Sequence, residues 1–418
     1  MTDAVRLKWL LSESDVRAGA AAEKLPLLSV SISWGVRRRE ASDTTTRAAS
    51  EDLSNYKVCR AGNLVINRMR AFQGALGIAG EDGIVSPDYA VLQVAPEVDA
   101  RWLNYFLTSE ATVATMSSLV RGIGGTEAGN VRTPRLNISD LLSMTAPLGS
   151  VTQQRAIADY LDRETARIDT LIEEQQRLIE MLRERRQAVV HRAVGGLDHI
   201  ACRPTNDPWW PKLPEGWAPL RLRRVIRGLA DGPHFSPNYV DEGVMFLSAR
   251  NIRVDGWSLD DAKFVSEEDY LEFSKRVVPE PGDVLYTKGG TTGIARVVDL
   301  DFPFQVWVHV AVLKVRQDLV DSAFLAYALN SPPCYDQSQL FTRGATNNDL
   351  GLTRMVNIVL PVPPLEQQRQ IIADLDQQTA KIDTLITESR RFIELARERR
   401  SALITAAVTG QIDVREAA

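Results

Sequence analysis

Cysteine is scarce in this 418-residue chain: Cys59, Cys202 and Cys334 are too few and too scattered for a disulfide framework, as expected of a reducing compartment. No Gly-Lys dipeptide occurs anywhere, which removes the Walker loop and the simplest case for ATP hydrolysis by this chain. The four histidines (His191, His199, His234, His309) are dispersed, and the one close pair of possible ligands, His199 and Cys202, lacks further partners, so no metal site is expected. No apolar run approaches the roughly 20 residues of a membrane helix, and the opening MTDAVRLKWLLSESD has no signal-peptide core, so a cytoplasmic chain without membrane partners is expected. Excess positive charge is missing too: the net charge of -5 excludes coating nucleic acid by bulk electrostatics and leaves room only for local basic patches.

Motifs for catalysis are equally thin. The glycine-rich VRGIGGTEAGN from Val120 has neither the spacing nor the downstream acid of a dinucleotide fingerprint and reads as a turn. The stretch NSPPCYD from Asn330 resembles the amine-binding signature of amino-methyltransferases, but Cys334 stands where an aromatic ring is required, so it reads as a helix terminator. No acid, acid, lysine order suits a nuclease. The chain is therefore expected to be non-catalytic.

What is present is a duplication, which fixes architecture before any finer reading. QQRAIADYLDRETARIDTLIEEQQRLIEMLRERR from Gln153 aligns without a gap on QQRQIIADLDQQTAKIDTLITESRRFIELARERR from Gln367, and 25 of 44 paired positions are identical through Gly196 and Gly410. Both copies keep helical time: Leu161, Ile168, Leu182 and Val189 lie on one heptad line with Ile172, Ile179 and Ala193 on a second, matched by Leu375, Ile382, Ala396, Leu403 and by Ile386, Ile393, Ala407. Neither stretch contains Gly or Pro before Gly195 and Gly410, so two long helices are predicted, each with a narrow apolar seam that suits the other as partner. Gln175, Ser389, Arg186 and Arg400 interrupt the seam. The RERR clusters at Arg183–Arg186 and Arg397–Arg400 are expected to face solvent or a partner protein.

The repeat continues upstream. AGNLVINRMRAFQGALGIAG from Ala61 resembles PGDVLYTKGGTTGIARVVD from Pro281, YAVLQV from Tyr89 resembles VAVLKV from Val310, and VDARWLNYFLTS from Val98 resembles VDSAFLAYALNS from Val320. Short alternating stretches read as strands, with TKGGTTG as the loop between two of them. The expected class is α+β: two mixed domains (1–150 and 200–364) alternating with two long helices (151–199 and 365–418) that form an antiparallel coiled coil, a body with pseudo-twofold symmetry. RPTNDPWWPKLPEGW is a linker, anchored by Trp209, Trp210 and Trp217 on a domain surface.

Over essentially its whole length the chain resembles the specificity subunits of type I restriction-modification systems. The resemblance is carried by LPVPPLEQQRQIIADLDQQTAKIDTLI from Leu360, APLGSVTQQRAIADYLDRETARIDTLI from Ala146, and LPEGWAPLRL with DGPHFSP at the start of the second domain. The first half departs from it: Gly149 and Ser150 replace Pro363 and Pro364, and nothing matches Asp231-Gly232-Pro233-His234. The resemblance implies a DNA reader in which each domain recognises one half of a bipartite double-stranded target. It also implies helices that set the spacer and recruit two methyltransferase subunits, with motor-nuclease restriction subunits joining the assembly. S-adenosylmethionine, ATP and Mg would then belong to the partners, with no cofactor in this chain. A rival class is a coiled-coil scaffold carrying two protein-binding domains and no DNA.

Base readout requires Arg, Lys, Asn, Gln or Thr on loops that enter a groove, whereas phosphate contacts only position the protein. The candidates are Arg37, Arg38 and Arg39, then Arg68, Arg70 and Arg121 in the first domain. In the second they are Arg250, Asn251, Lys288, Thr291, Thr292, Arg343, Asn347 and Asn348. The candidate helix-pair or subunit interface comprises Leu161, Ile168, Ile172, Ile179, Leu182, Leu375, Ile382, Ile386, Ile393 and Leu403.

Overall fold

A computed structural model of the chain describes residues 3–40, 52–120, 135–344 and 348–414. It comprises two compact units, Met1–Gln175 with Arg391–Ala418 and Gln176–Arg390, so each unit holds one globular core and segments of both long helices. No described helix is long and apolar enough to cross a membrane.

In the first unit, strands β1 (Leu11–Ser14), β2 (Leu64–Asn67), β3 (Leu76–Ile78) and β4 (Tyr89–Val94) form an antiparallel sheet in the order β1-β4-β2-β3. Helices α1 (Ala100–Thr108) and α2 (Glu110–Ser118) follow it. In the second unit, β5 (Ile226–Asp231), β6 (Val284–Thr287), β7 (Ala295–Val297) and β8 (Val310–Val315) form an antiparallel sheet in the order β5-β8-β6-β7. Helices α3 (Ser322–Leu329) and α4 (Pro332–Phe341) come next. The registers correspond: Leu64 faces Leu92 and Ile78, as Val284 faces Leu313 and Val297. All four residues of β2 and of β6 are buried, which explains why LVIN and VLYT lack the polar alternation of a half-exposed strand.

The second unit adds a smaller sheet, in the order Tyr239–Val240, Lys263–Val265, Val244–Leu247, Phe304–Val306, with the last pair parallel. The first unit carries instead the hairpin Leu28–Ser31 with Gly35–Arg38. This is where the halves diverge in sequence, and where their folds diverge as well.

The long helices run Val151–Val194 and Leu365–Val408, 44 residues each. They end alike. Gly196 and Gly410 take φ of +64° and +75°, and the next amide reaches back to Arg192 O and to Ala406 O, a Schellman cap in each copy. Each helix is fastened to its globular core by the same buried glutamine. Gln154 accepts the amide of Asp99 at 2.8 Å and donates to the carbonyls of Glu97 and Gly149; Gln368 accepts that of Asp321 at 2.8 Å and donates to Leu319 and Pro363. Two turns further on, the Tyr105 hydroxyl donates to Asp162, and the Tyr327 hydroxyl to Asp376. The repeated QQR and LD motifs are therefore helix-to-domain fasteners, and an unmatched buried group there costs about 1–3 kcal/mol.

The apolar seam is buried as its heptads predict: Leu161, Ile168, Ile172, Ile179, Leu182, Leu375, Ile382, Ile386 and Ile393 are all below 10% exposed. Toward the helix ends the burial moves one residue on, to Val190 and Ile404, with Val189 and Leu403 only half-buried. A straight helix of 3.6 residues per turn drifts by about 20° per heptad against a 3.5-residue repeat, which accounts for the shift. In the first unit Ala158 and Leu161 share a core with Ile404, Ala407 and Val408; in the second, Val190 and Val194 share one with Leu375.

Two expectations are corrected and one is refined. Arg186 and Arg400, the last residues of the two RERR clusters, sit at the seam they interrupt: Arg186, largely buried, pairs with Asp383 at 3.0 Å, and Arg400, still partly exposed, pairs with Asp169 at 2.9 Å. The aspartate of each IDTLI pentapeptide thus holds the arginine of the other copy's RERR, so the two motifs recur together. Trp210 and Trp217 are not surface anchors but core residues, 3% and 0% exposed, because their indole N–H groups find partners in Val359 O and Gln367 Oε1. NSPPCYD starts a helix as well as ending one: Ser331 precedes α4 and the prolines occupy its first turn, where a missing N–H costs nothing. The segment after Val120 lies outside the described residues.

Candidate nucleic-acid interface

In both units a cleft opens where the second strand of the main sheet ends. In the second unit it encloses about 430 Å³ and is lined by Tyr239, Arg250, Lys263, Thr291, Trp307 and His309 among others. Lys263 Nζ lies 4.1 Å from the centre of the Tyr239 ring, a cation over an aromatic face. Arg250 and Thr291 are exposed, and Arg250 makes no ion pair among the described residues. Burial and the neighbouring Lys288 charge hold the His309 imidazole below its ordinary range, so it offers a neutral donor and acceptor at pH 7.

Behind this cleft the DGPH motif builds a charged platform. Asp231, 2% exposed, receives the Arg276 guanidinium on a carboxylate oxygen and Arg276 Nε on its carbonyl (2.9 Å), with His234 Nε2 at 3.2 Å and Lys288 Nζ at 3.4 Å. Lys288 also binds Asp349 at 2.9 Å and the Val308 carbonyl at 3.2 Å. Gly232 is required: a Cβ there would stand 1.9 Å from the Val306 carbonyl oxygen. Gly289 is required too, since its Cβ would meet the His309 ring at 2.4 Å.

Burial by itself would raise the Asp231 pKa, but hydrogen bonds from Arg276 and His234 and the Lys288 charge outweigh it and hold the carboxyl below 3.8. A depressed carboxylate stabilises the fold above its ordinary pKa, and that stability is lost as pH falls through the depressed value. Urea unfolding of the second unit should therefore occur at lower midpoint at pH 3 than at pH 5. Asp231→Asn should flatten this dependence while costing about 3–5 kcal/mol at pH 7, because Arg276 and Lys288 lose a buried partner. An unchanged pH slope in the variant would refute the assignment.

The cleft of the first unit is larger, about 850 Å³, lined by the hairpin from Leu27 to Trp34 and by Arg39, Tyr56, Asn67, Met69 and Arg70 among others. The Arg37 guanidinium lies 4.0 Å over the Trp34 ring. Asn67-Arg68-Met69-Arg70 leaves β2 as Thr287-Lys288-Gly289-Gly290 leaves β6. The tie that follows is shared: Leu136 donates its amide to the Arg68 carbonyl, as Leu350 does to that of Lys288.

The candidates separate by burial and by existing partners. Arg70, Arg250, Thr291, Arg343 and Asn348 carry exposed side chains, whereas Arg37 is half-buried over Trp34 and pairs with Glu40 at 3.8 Å; Arg121 and Asn347 lie outside the described residues. Others are already engaged. Asn251 is buried, its amide holding Ser248, Ser258 and Asp261 as a brace of the loop. Lys288 is enclosed by two carboxylates, and buried Thr292 accepts from Gln339 at 3.0 Å. Arg38 makes a two-pronged pair with Glu81, and Arg68 is half-buried against the Leu136 carbonyl. In this conformation Asn251, Lys288 and Thr292 shape the loops that carry the exposed groups. Sequence reading missed Tyr239, Lys263, Trp307 and His309, which arrive from three strands or strand ends distant in sequence.

Comparison with known proteins agrees with this geometry. Residues 249–394 match the model of the type I restriction modification DNA specificity domain. Beyond that segment the chain is similar to type I restriction specificity subunits. It is 23% identical over 303 residues to the type I restriction enzyme EcoBI specificity subunit of Escherichia coli, a match covering 69% of this chain and 64% of that one. To the MjaVIII specificity subunit of Methanocaldococcus jannaschii it is 22% identical over 345 residues, covering 80% and 76%. Its fold resembles that of a chain from a solved type I restriction-modification assembly, with a TM-score of 0.64 at 18% identity over 98% of both chains.

Proposed function

We propose that this subunit is the non-catalytic DNA reader of a type I restriction-modification complex, each unit recognising one half of a bipartite duplex target. The observation that carries this reading is the duplicated sheet with a cleft of cations and aromatic rings at the same strand end in both units. Such a cleft supplies forked and stacking donors for base edges and phosphates while the scaffold behind it stays constant. The two long helices act as an antiparallel pair that sets the spacing between half-sites, supported by the reciprocal pairs Asp169–Arg400 and Asp383–Arg186. Their exposed faces dock two methyltransferase subunits, and restriction subunits join that assembly; S-adenosylmethionine, ATP and Mg act in those partners. The working location is the cytoplasm, where the DNA is.

With a net charge of -5 the chain alone gains little from counterion release, so its own DNA binding is weak. Co-purified with its methyltransferase, it should retain one bipartite duplex over others in a gel-shift titration. Arg250→Ala with Lys263→Ala should weaken that retention by about 10- to 100-fold. A complex with no preference for any duplex would overturn the reading and favour the protein scaffold.

A further inference from the structure

The second unit carries a basic patch that its cleft does not use. From Ala218 to Ala230 the chain reads APLRLRRVIRGLA, four arginines and no acid. Strand Ala218–Arg221 pairs with Val359–Val362, the turn Leu222–Val225 follows, and β5 begins at Ile226. Leu222 and Val225 are fully buried, which turns the arginines between and around them outward. Arg221, Arg223, Arg224 and Arg227 are all exposed, and their side chains make no ion pair or hydrogen bond among the described residues. Two neighbouring acids are engaged with other cations: Asp318 holds Arg316 at 2.9 Å, and Glu280 holds Lys314 at 2.7 Å.

Sheet register sets this patch apart from the cleft. Ile226 pairs with Val315, whereas Asp231 pairs with Ala311 and Thr287 with Val310, so patch and cleft lie at opposite ends of the sheet. Strand β5 has six residues, which puts about 17 Å between those ends at about 3.4 Å per residue. The first unit keeps the framework of this turn but only half its charge. Its Leu7 amide donates to Met144 O at 2.8 Å, as that of Leu222 does to Ile358 O at 2.7 Å, yet the four arginine positions hold Arg6, Lys8, Trp9 and Ser12.

We propose that this turn is a second DNA site, a sequence-independent hold on duplex phosphates outside the recognised sequence. Guanidinium forks match phosphate oxygens, and four of them without a carboxylate among them form a local field that the chain's net charge of -5 conceals. A protein partner is the poorer fit: residues 218–231 expose no large apolar side chain of the kind that anchors protein interfaces, whereas DNA contacts are built from dense positive charge. Phosphate contacts position a protein without reading bases, so the site adds affinity for any duplex and leaves target choice to the clefts. The inference is therefore separable from the reading of the clefts.

The test titrates the full chain into a fluorescein-labelled duplex of arbitrary sequence, about 30 base pairs long, at salt from about 50 to 200 mM, and follows anisotropy. Half-saturation at about 10–100 µM is expected at the lowest salt, and four phosphate contacts alone should weaken binding about 100-fold across the range. Arg221→Gln, Arg223→Gln, Arg224→Gln and Arg227→Gln together should cost at least about tenfold at low salt and take about three to four off the slope of log K against log salt; Arg224→Gln alone should take off about one. In complex with the methyltransferase, the quadruple variant should keep the wild-type ratio of target to non-target affinity. A loss confined to target duplexes with flanks of about 30 base pairs would assign the site to flanking DNA, and a loss confined to a second labelled duplex would assign it to a separate molecule. Unchanged affinity and slope in both variants, or no wild-type binding at about 100 µM chain, would overturn the proposal. So would a quadruple variant that sheds the methyltransferase while its duplex affinity stays the same, which would make the turn a protein-docking surface.

Discussion

Replacing residues 1–145 with the corresponding domain of another specificity subunit should exchange one half of the methylated sequence and leave the other half unchanged. The physical ground is that the first unit's sheet, hairpin and cleft form a core of their own, in which Leu64, Leu92, Trp102 and Leu103 are at most 1% exposed. The graft crosses into the retained helix at named points. A donor must present an amide where Asp99 meets Gln154, and a hydroxyl where Tyr105 meets Asp162 at 2.8 Å, or the helix loses its fasteners. Ser401 of the second helix also donates to Glu110 at 2.8 Å, so a donor with an acid at the start of that helix is preferred. Each mismatched base pair costs about 1–3 kcal/mol, so the old half-site should lose methylation by more than about 100-fold. Methylome sequencing of cells expressing the hybrid with its methyltransferase reads the result. A change in both halves, or one uninterrupted target, would refute the modular reading.

What could be read from the sequence was whatever obeys a period or a repeat. The helices announced themselves through a seam that runs without Gly or Pro, and all ten proposed seam residues proved buried or half-buried. The DGPH stretch stood out as a difference between halves, but its role as a counter-charge platform for Lys288 depends on Arg276 and Asp349, which are 45 and 118 positions from Asp231. No spacing rule links such residues; the sheet brings them together. The same limit explains the site candidates. Residue type marked Asn251 and Lys288 as base readers, yet one braces a loop and the other neutralises two acids, because a polar side chain that becomes buried must find its partners inside. Lys263 and Tyr239 were overlooked since a lysine in AKFV and a tyrosine in SPNYV carry no local signal. The reciprocal Asp–Arg pairs lay between these extremes: both motifs were visible as repeats, but which one faced which required the helices in place.

Those pairs also define where the rod can be lengthened. From Asp169 to Arg186 the first helix advances 17 residues, while their partners retreat by the same 17, from Arg400 to Asp383. Leu178 stands nine residues past Asp169, and Arg391 nine residues before Arg400. Seven residues inserted after Leu178 and seven after Arg390 therefore face each other, keep the seam in phase and leave both pairs intact, while adding about 10 Å at 1.5 Å per residue. At about 3.4 Å per base pair and about 10 pairs per turn, this is at most three pairs and about 100° of groove rotation. Bending of DNA and rod will absorb part of it, so the unspecified spacer should grow by about one to three base pairs with both half-sites unchanged. The same insertion in one helix alone slides Arg186 or Arg400 two turns past its aspartate and should abolish methylation. Methylome sequencing distinguishes these outcomes. An active double insertion that keeps the original spacer would mean that the helices do not set the distance, leaving the reciprocal pairs to serve stability alone.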